Sequence, residues 1–272
     1  MIKIYKLLKI IIPQKILNLI YNLKYQKVKY IGPYNNWFEA KKNSRGWSDQ
    51  KILEKVKKST LASMNNSNTY ERDGEILRDN MYPVNIVKFL NSELNENNLV
   101  IDFGGSLGSL YFHIRSKIGI ENIKWSIIEQ TNYVNLGKKI FQNKKISFFE
   151  DLKDVEKVDG TIIILSSILQ YVENPEKIIN QIINLKSIKH IILDRLILSN
   201  SNQDKIYVQK NPRKYLNTSY PIRIFSEEKF LEYFKNFKTI FKGESYIGTN
   251  FELDGNKLNY CNIIFSRIEG PK

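Results

Sequence analysis

Asp102, three glycines and Glu129 are spaced as a set of ligand-holding groups would be. In the stretch NLVIDFGGSLGSLY, from Asn98 to Tyr111, a short apolar run of Leu99, Val100 and Ile101 ends in Asp102. Gly104, Gly105 and Gly108 follow, and then a segment of helical pattern from Leu107 to Lys117. Strand, glycine turn and helix in that order open a nucleotide-binding βαβ unit. Its turn needs glycine to reach positive φ and to let the backbone approach a ligand. A second strand pattern, Lys124 to Ile128, ends in Glu129, 21 residues past Gly108. An acid at the tip of the second strand is where such units hold ribose hydroxyls. Each piece alone reads equally well as a tight turn or a solvated strand end. Their order points to a nucleoside-bearing cofactor.

The spacing D-x-G-G-S-x-G differs from the G-x-G-x-x-G that seats a dinucleotide pyrophosphate. It lies nearer the D-x-G-x-G-x-G turn of S-adenosylmethionine (SAM) enzymes, with Ser106 in place of the central glycine. On that reading the backbone of Gly104, Gly105, Ser106 and Gly108 approaches the methionine part of SAM, and Asp102 lies near its amino group. Glu129 accepts from both ribose hydroxyls, and Gln130 lies beside the adenine. Asp151, from the Glu150-Asp151 pair that ends the third strand, is the candidate for the adenine amine; it reads equally as a helix N-cap.

The elements that must position these groups alternate in kind. Strands are expected near 98–103, 123–129, 145–149, 159–165 and 189–194, and helices near 107–118, 132–143 and 175–186, the last opened by Asn174-Pro175. This predicts a mostly parallel sheet with helices on both faces, whose ligands sit at the carboxyl ends of the strands. That edge collects Asp102, Glu129, Glu150-Asp151, the loop from Ser166 to Tyr171, and Asp194-Arg195. Residues from Ser199 to about Arg223 read as a long polar loop, of the kind that is functional or mobile. Ser226 reads as the N-cap of a helix to Lys235, and Phe237–Glu244 with Lys257–Arg267 as a closing β-hairpin. Seven strands ending in a hairpin describe a Rossmann-like α/β fold.

Three segments are expected: 1–30 basic, amphipathic and helical; 31–92 a helical lid or acceptor segment; 93–272 the cofactor-binding domain. Pro13 should break the first helix, which could dock on the main domain or a partner, or lie on an anionic membrane surface. Trp37 and Trp47 flank a turn at Ser44-Arg45-Gly46, with a helix from Asp49 to Met64 beyond it. Tyr70-Glu71-Arg72-Asp73-Gly74 is a charged cluster between helical stretches, readable as a self-paired loop or as a lid in which Arg72 meets an anion.

A formal charge of +14 favours anionic partners, although a Lys-, Asn- and Ile-rich chain also spends lysines on solvating helix faces. The single cysteine, Cys261, excludes an internal disulfide, and with only two histidines a structural zinc site is not expected. No signal peptide or spanning segment is read, so a cytoplasmic location is expected, peripheral to the inner membrane face on the alternative in which residues 1–30 lie on the membrane.

Tyr70-Glu71-Arg72-Asp73, the Leu99–Gly108 run, Trp125–Gln130, Ser166–Pro175 and Asp194-Arg195 together resemble a bacterial family of SAM-dependent methyltransferases encoded in surface-polysaccharide and capsule clusters. The resemblance runs from about Trp37 to Phe265. It implies a class I methyltransferase fold, SAM as cofactor with S-adenosylhomocysteine (SAH) as product, and a sugar or phosphorylated (phosphate or phosphoramidate-type) glycan intermediate, in some cases nucleotide-activated, as O-methyl acceptor. The acceptor side is assigned to Tyr70, Arg72, Asp73, Gln170, Gln209 and Tyr220, and Ser166, at the end of the fourth strand, to both the cofactor and the acceptor side. Asp194 is the candidate base, Arg195 is placed for a phosphate or sugar carboxylate, and Tyr171, after the fourth strand, completes the catalytic set; Asp194 and Arg195 read equally as a structural pair. His113 faces a helix and His190 starts a strand at the far end of the sheet, so neither is chosen. An RNA or DNA methyltransferase is the alternative enzyme, disfavoured by dispersed basic residues and missing amino- or C5-methylation motifs. A non-catalytic partner subunit of the same fold is the third reading.

Overall fold

The structure is a computed structural model that describes residues 28–46, 50–66, 68–78, 81–120, 122–211, 218–247 and 250–268. Most of the expected N-terminal helical segment (residues 1–27), with the membrane contact assigned to it, lies outside the described residues, as does Trp47.

In chain order the elements are β1 (Lys29–Tyr34), α1 (Trp37–Lys42), α2 (Gln50–Ser63), β2 (Thr69–Arg72), β3 (Glu75–Arg78), α3 (Val84–Glu93), β4 (Leu99–Phe103) and α4 (Ser109–Ile118). Then come β5 (Lys124–Ile128), α5 (Thr131–Ile140), β6 (Ile146–Phe149), β7 (Thr161–Ser166), α6 (Pro175–Asn184) and β8 (Ile188–Ser199). The last are β9 (Lys205–Lys210), β10 (Ser219–Ser226), α7 (Glu227–Glu232), β11 (Phe237–Glu244), β12 (Asn250–Leu253) and β13 (Asn256–Arg267). They fall into two compact units, Met1–Trp47 with Ile206–Pro221, and Ser48–Lys205 with Ile222–Lys272. This division cuts across the three consecutive segments expected from the sequence.

In the larger unit the strands run β6-β5-β4-β7-β8-β13-β11. The first five are mutually parallel, and β13 is antiparallel to both β8 and β11. The chain moves outward from β4 in one direction through β5 and β6, then returns to build β7 and β8 on the other side. Crossovers of the usual right hand in opposite directions put helices on both faces, and the topological switch point, where ligands of such sheets bind, falls between β4 and β7. The parallel strands are covered on both faces, so they are written as continuous apolar runs: Ile162, Ile163 and Ile164 in β7, and Ile191, Ile192 and Leu193 in β8, are all buried. Phe234 and Phe265 stack at 4.5 Å under the closing strands. Among the described residues, no helix is long and apolar enough to cross a membrane.

Three expectations need correction. The charged cluster at 70–74 is a β-hairpin, with Arg72 opposite Glu75 and a two-residue loop of Asp73 and Gly74 at φ 54° and 78°. Positive φ at both loop positions is the turn that matches strand twist, and Asp-Gly is its sequence signature. The polar stretch from Ser199 contains strands β9 and β10. Their alternation is masked by Lys and Gln in β9 and by Ser and Arg in β10, as on strands with a solvated face. Helix α7 ends at Glu232, and Ser226 occupies its N-cap position without a side-chain capping bond.

The smaller unit pairs β1 with β9 antiparallel, Tyr30 opposite Gln209. The register shifts between Ile31 and Tyr34, where Gly32-Pro33 adds a residue to β1. A bulge is where a strand tolerates proline, which lacks the N–H a ladder needs.

Candidate functional site

Strand β4 delivers Asp102 to the carboxyl edge of the sheet, where it is buried. Its Oδ2 has no hydrogen-bond partner. Burial pushes its carboxyl up to about 7, opposed by the Trp125 indole; the charge of Glu129 adds to the rise and that of Arg195 opposes it. A buried acceptor without a donor is costly unless a ligand supplies one.

The turn that follows folds over this carboxylate. A Cβ on Gly105 would stand 2.6 Å from Asp102 Cγ and 2.7 Å from its Oδ2, and one on Gly104 would stand 2.9 Å from Ile168 Cγ1. The groups that forbid side chains here are therefore the protein's own, where the sequence suggested ligand approach. Ser106 takes a φ of 55°, the place of the central glycine in the expected pattern. Gly108 ends the turn and precedes α4.

Strand β5 delivers Glu129 beside the turn. Its Oε2 accepts the Gln130 N–H at 2.8 Å. Burial pushes its carboxyl up to about 6, while the N–H groups of Gln130 and Ser106 hold it down. A carboxylate has about four acceptor sites, so capacity remains for vicinal hydroxyls. Gln130 is exposed at the start of α5. Asp151 caps the short turn Leu152–Asp154, accepting from Lys153 N at 3.0 Å, and Glu150 accepts from Thr131 Oγ1 at 2.6 Å. Of the two readings of Asp151, the N-cap is the one the geometry displays.

A second cluster forms at the ends of β7 and β8. Cys261 pairs with Leu196 and Ile263 with Leu193, so Asp194 and Arg195 together oppose Asn262. Arg195 has a φ of 53° inside the strand. This is a β-bulge, a device that re-aims side chains next to functional sites. It turns both neighbours toward Ser166: Ser166 Oγ donates to Asp194 Oδ2 at 3.0 Å, and Arg195 Nε and Nη2 reach the same hydroxyl at 3.4 Å. Asp194 Oδ1 accepts from Ser245 Oγ at 3.1 Å and Asn262 Nδ2 at 3.3 Å. Gln170, fully buried in the turn Leu169–Tyr171, donates to the Arg195 carbonyl at 2.8 Å and so pins the bulge.

The hairpin tip belongs to this cluster. Asp73 Oδ2 lies 3.9 Å from both Arg72 Nε and Arg195 Nη1, and Arg72 Nη1 donates to the Tyr246 hydroxyl at 3.2 Å. The ring of Tyr70 packs on those of His113 and Tyr246. Glu71 is buried, accepts from Gly74 N at 2.8 Å and from the Ser109 hydroxyl at the start of α4, and is pushed by burial up to about 7. It thereby ties the hairpin to the helix that follows the glycine turn.

Thus the larger unit brings together the expected Asp102, Gly104, Gly105, Ser106, Gly108, Glu129 and Gln130 on one side, and Tyr70, Arg72, Asp73, Ser166, Gln170, Asp194 and Arg195 on the other. Tyr171 closes the turn that carries Gln170. Gln209 and Tyr220 belong to the smaller unit, where Gln209 Nε2 donates to the Tyr220 hydroxyl at 3.1 Å and Asn211 Nδ2 reaches the same hydroxyl at 2.8 Å. Glu71, Ser109, Ser245, Tyr246 and Asn262 were not selected from the sequence. Asn262 carried a signal, a lone amide in the apolar run Cys261–Phe265. Among the described residues, no group of His, Cys, Asp and Glu is arranged to hold a metal ion.

No protein-family model and no curated protein matches the sequence. The fold is similar to solved structures. The N-terminal domain of EvdMO1, determined in the presence of SAH and D-fucose, aligns with a TM-score of 0.50 at 10% identity, over 82% of this chain and 100% of that one. Coclaurine N-methyltransferase bound to N-methylheliamine and SAH gives 0.49 at 12% identity over 80% and 86%. Burkholderia thailandensis 1,6-didemethyltoxoflavin-N1-methyltransferase gives 0.45 at 11% over 90% and 98%. At such identity the first likeness speaks for the fold alone. Together with the strand order, it gives this chain a Rossmann-like α/β fold.

Proposed function

We propose that the chain is a SAM-dependent methyltransferase that methylates a hydroxyl of a sugar or phosphorylated intermediate of cell-surface polysaccharide assembly. The observation that carries the reading is the pair Asp102 and Glu129 on adjacent strand tips, with the glycine turn between them and a buried Asp102 oxygen awaiting a donor. The residues fit SAM: Asp102 suits the amino group, Glu129 the ribose hydroxyls, and Gln130 the adenine edge. When bound, SAM supplies an electrophilic methyl group on a sulfonium. The chain's own work is to hold, orient and keep dry.

The acceptor side is assigned to Arg195, Tyr171, Tyr70, Arg72 and Asp73. Both oxygens of Asp194 are engaged, which favours a positioning role over that of an open base: it holds Arg195 and Ser166 in place. The sugar acceptor draws support from the D-fucose named with the EvdMO1 domain, a property of that protein.

The test is transfer of an isotopically labelled methyl group from SAM to a panel of nucleotide sugars, sugar phosphates and uronates. Label on a sugar with matching SAH supports the proposal. Label on RNA or DNA alone would move the assignment to a nucleic-acid methyltransferase. Tight SAM binding without transfer to any acceptor would favour the partner-subunit reading.

A further inference from the structure

The Asp73 side chain is 60% exposed, whereas those of Arg72 and Arg195, both 3.9 Å from its Oδ2, are only 22% and 13% exposed. At that distance neither arginine makes a hydrogen bond to it. Two guanidinium groups, each a rigid fork of N–H donors, therefore converge on a carboxylate that neither grips. The cations are fixed from elsewhere. Arg72 donates to the Tyr246 hydroxyl and lies 5.6 Å over that ring. Arg195 is set by the β8 bulge and by the Ser166 hydroxyl, with Asp194 Oδ2 at 3.8 Å from its Nε. The anion between them is the exposed member, on a two-residue loop. Forked guanidiniums match carboxylates and phosphates in a bidentate way, at 2.7–2.9 Å when the fit is good. Asp73 leaves that capacity unused.

We propose that Asp73 stands in for an anionic group of the acceptor, and that Arg72 and Arg195 select a small acceptor bearing a carboxylate or phosphate, which displaces Asp73 on binding. This rests on the methyltransferase reading only in naming that molecule the acceptor. Exchange of one anion for another between the same cations keeps the local charge balanced, so a uronate or sugar phosphate enters without stranding a part-buried guanidinium. A neutral sugar would have to leave Asp73 in place.

The test titrates D-glucuronate, glucose 6-phosphate and glucose into the full chain, with and without SAH. The anionic sugars should bind at least about tenfold tighter than glucose, a difference of about 1.4 kcal/mol. Asp73→Asn keeps the turn, because asparagine takes positive φ readily. It removes the competing carboxylate and should tighten the anions by a further factor of about ten while leaving glucose unchanged. Arg72→Gln and Arg195→Gln should each abolish the preference; Arg72 lies on a short strand, so its variant remains informative if the Arg195 variant fails to fold. Equal affinity for glucuronate and glucose, no binding of either anion, or Asp73→Asn weakening the anions would overturn the proposal. Parallel SAH titration separates the two claims. Lost SAH binding with the anion preference intact counts against the methyltransferase reading, and intact SAH binding without preference counts against the arginine clamp.

Discussion

Ser166 and Asp194 are register partners on neighbouring parallel strands, and the serine hydroxyl donates to the aspartate carboxylate at 3.0 Å. The relationship matters because the next residue in β8, Arg195, reaches the same hydroxyl through the bulge. One hydroxyl thus holds together the anion and the cation of a buried pair at the tips of β7 and β8, next to the switch between β4 and β7.

Asp194→Asn keeps the volume but replaces an acceptor of Ser166, Ser245 and Asn262 by a group that must donate on one side. It also strips Arg195 of its buried counter-ion. Breaking such a pair costs about 3–5 kcal/mol, whereas Ser245→Ala, which removes one hydrogen bond to a charged group, should cost about 1–3 kcal/mol. Urea denaturation of both variants checks the order. Equal stability of wild type and Asp194→Asn would contradict the positioning role.

Gly105→Ala places a methyl group 2.6 Å from Asp102 Cγ. Overpacking of this kind costs about 1–3 kcal/mol, and here the displaced part is the turn itself. Binding of SAH should weaken by about tenfold or more, 1.4 kcal/mol per factor of ten, with the circular dichroism of the fold retained. Undiminished binding would show that the turn does not need to lie on Asp102.

Glu71 links stability to pH. Its carboxyl is raised in the folded protein from an ordinary 4.5 to about 7, so the folded state holds the proton more tightly than the unfolded state. Its contribution is full below about 4.5 and is lost as pH rises to about 7, for a swing of up to about 3 kcal/mol. Glu71→Gln can accept from Gly74 N and donate to Ser109 without titrating. The gap in melting temperature between variant and wild type should therefore open in the variant's favour from pH 4.5 to 7 and stay constant above. Burial lowers both His113 and His190, which acts in the opposite sense, but they are common to both proteins and cancel in the difference. A gap that does not change with pH would contradict the assignment.

The sequence was legible where one period dominates. Apolar runs such as Ile162–Ile164 alternate with amphipathic stretches such as Pro175–Asn184, and this was enough for β4 to β8, their helices and the strand-tip acids. The hairpin at 69–78 was misread because Thr-Tyr-Glu-Arg and Glu-Ile-Leu-Arg are too short and charged to alternate clearly. Asp73-Gly74 named the turn in the open. Strands β9 and β10 were hidden for a related reason, since Lys205–Lys210 reads as polar until its pairing with β1 is known. The bulge at Asp194-Arg195 could not be read locally, because it exists only through the register of β8 against β13, more than sixty residues away. The same holds for Ser245 and Tyr246, brought to the site by the closing strands.

Proton release follows from the raised acids. Asp102 near 7 and Glu129 near 6 are partly protonated at pH 6.5. An ammonium beside one and hydroxyl donors on the other both favour the ionised form. Binding of SAM at pH 6.5 should thus release protons, and its apparent enthalpy should differ between phosphate and Tris buffers in proportion to their ionisation enthalpies. Equal enthalpies in the two buffers would mean that neither carboxyl changes its protonation.

The most direct measurement is isothermal titration of SAH into wild type and Glu129→Ala. The account predicts saturable binding to the wild type that the variant weakens by about 1–3 kcal/mol, the scale of a hydrogen bond to a charged group. Binding that is the same in both proteins, or no binding to the folded wild type, would contradict the placement of SAM between Asp102 and Glu129.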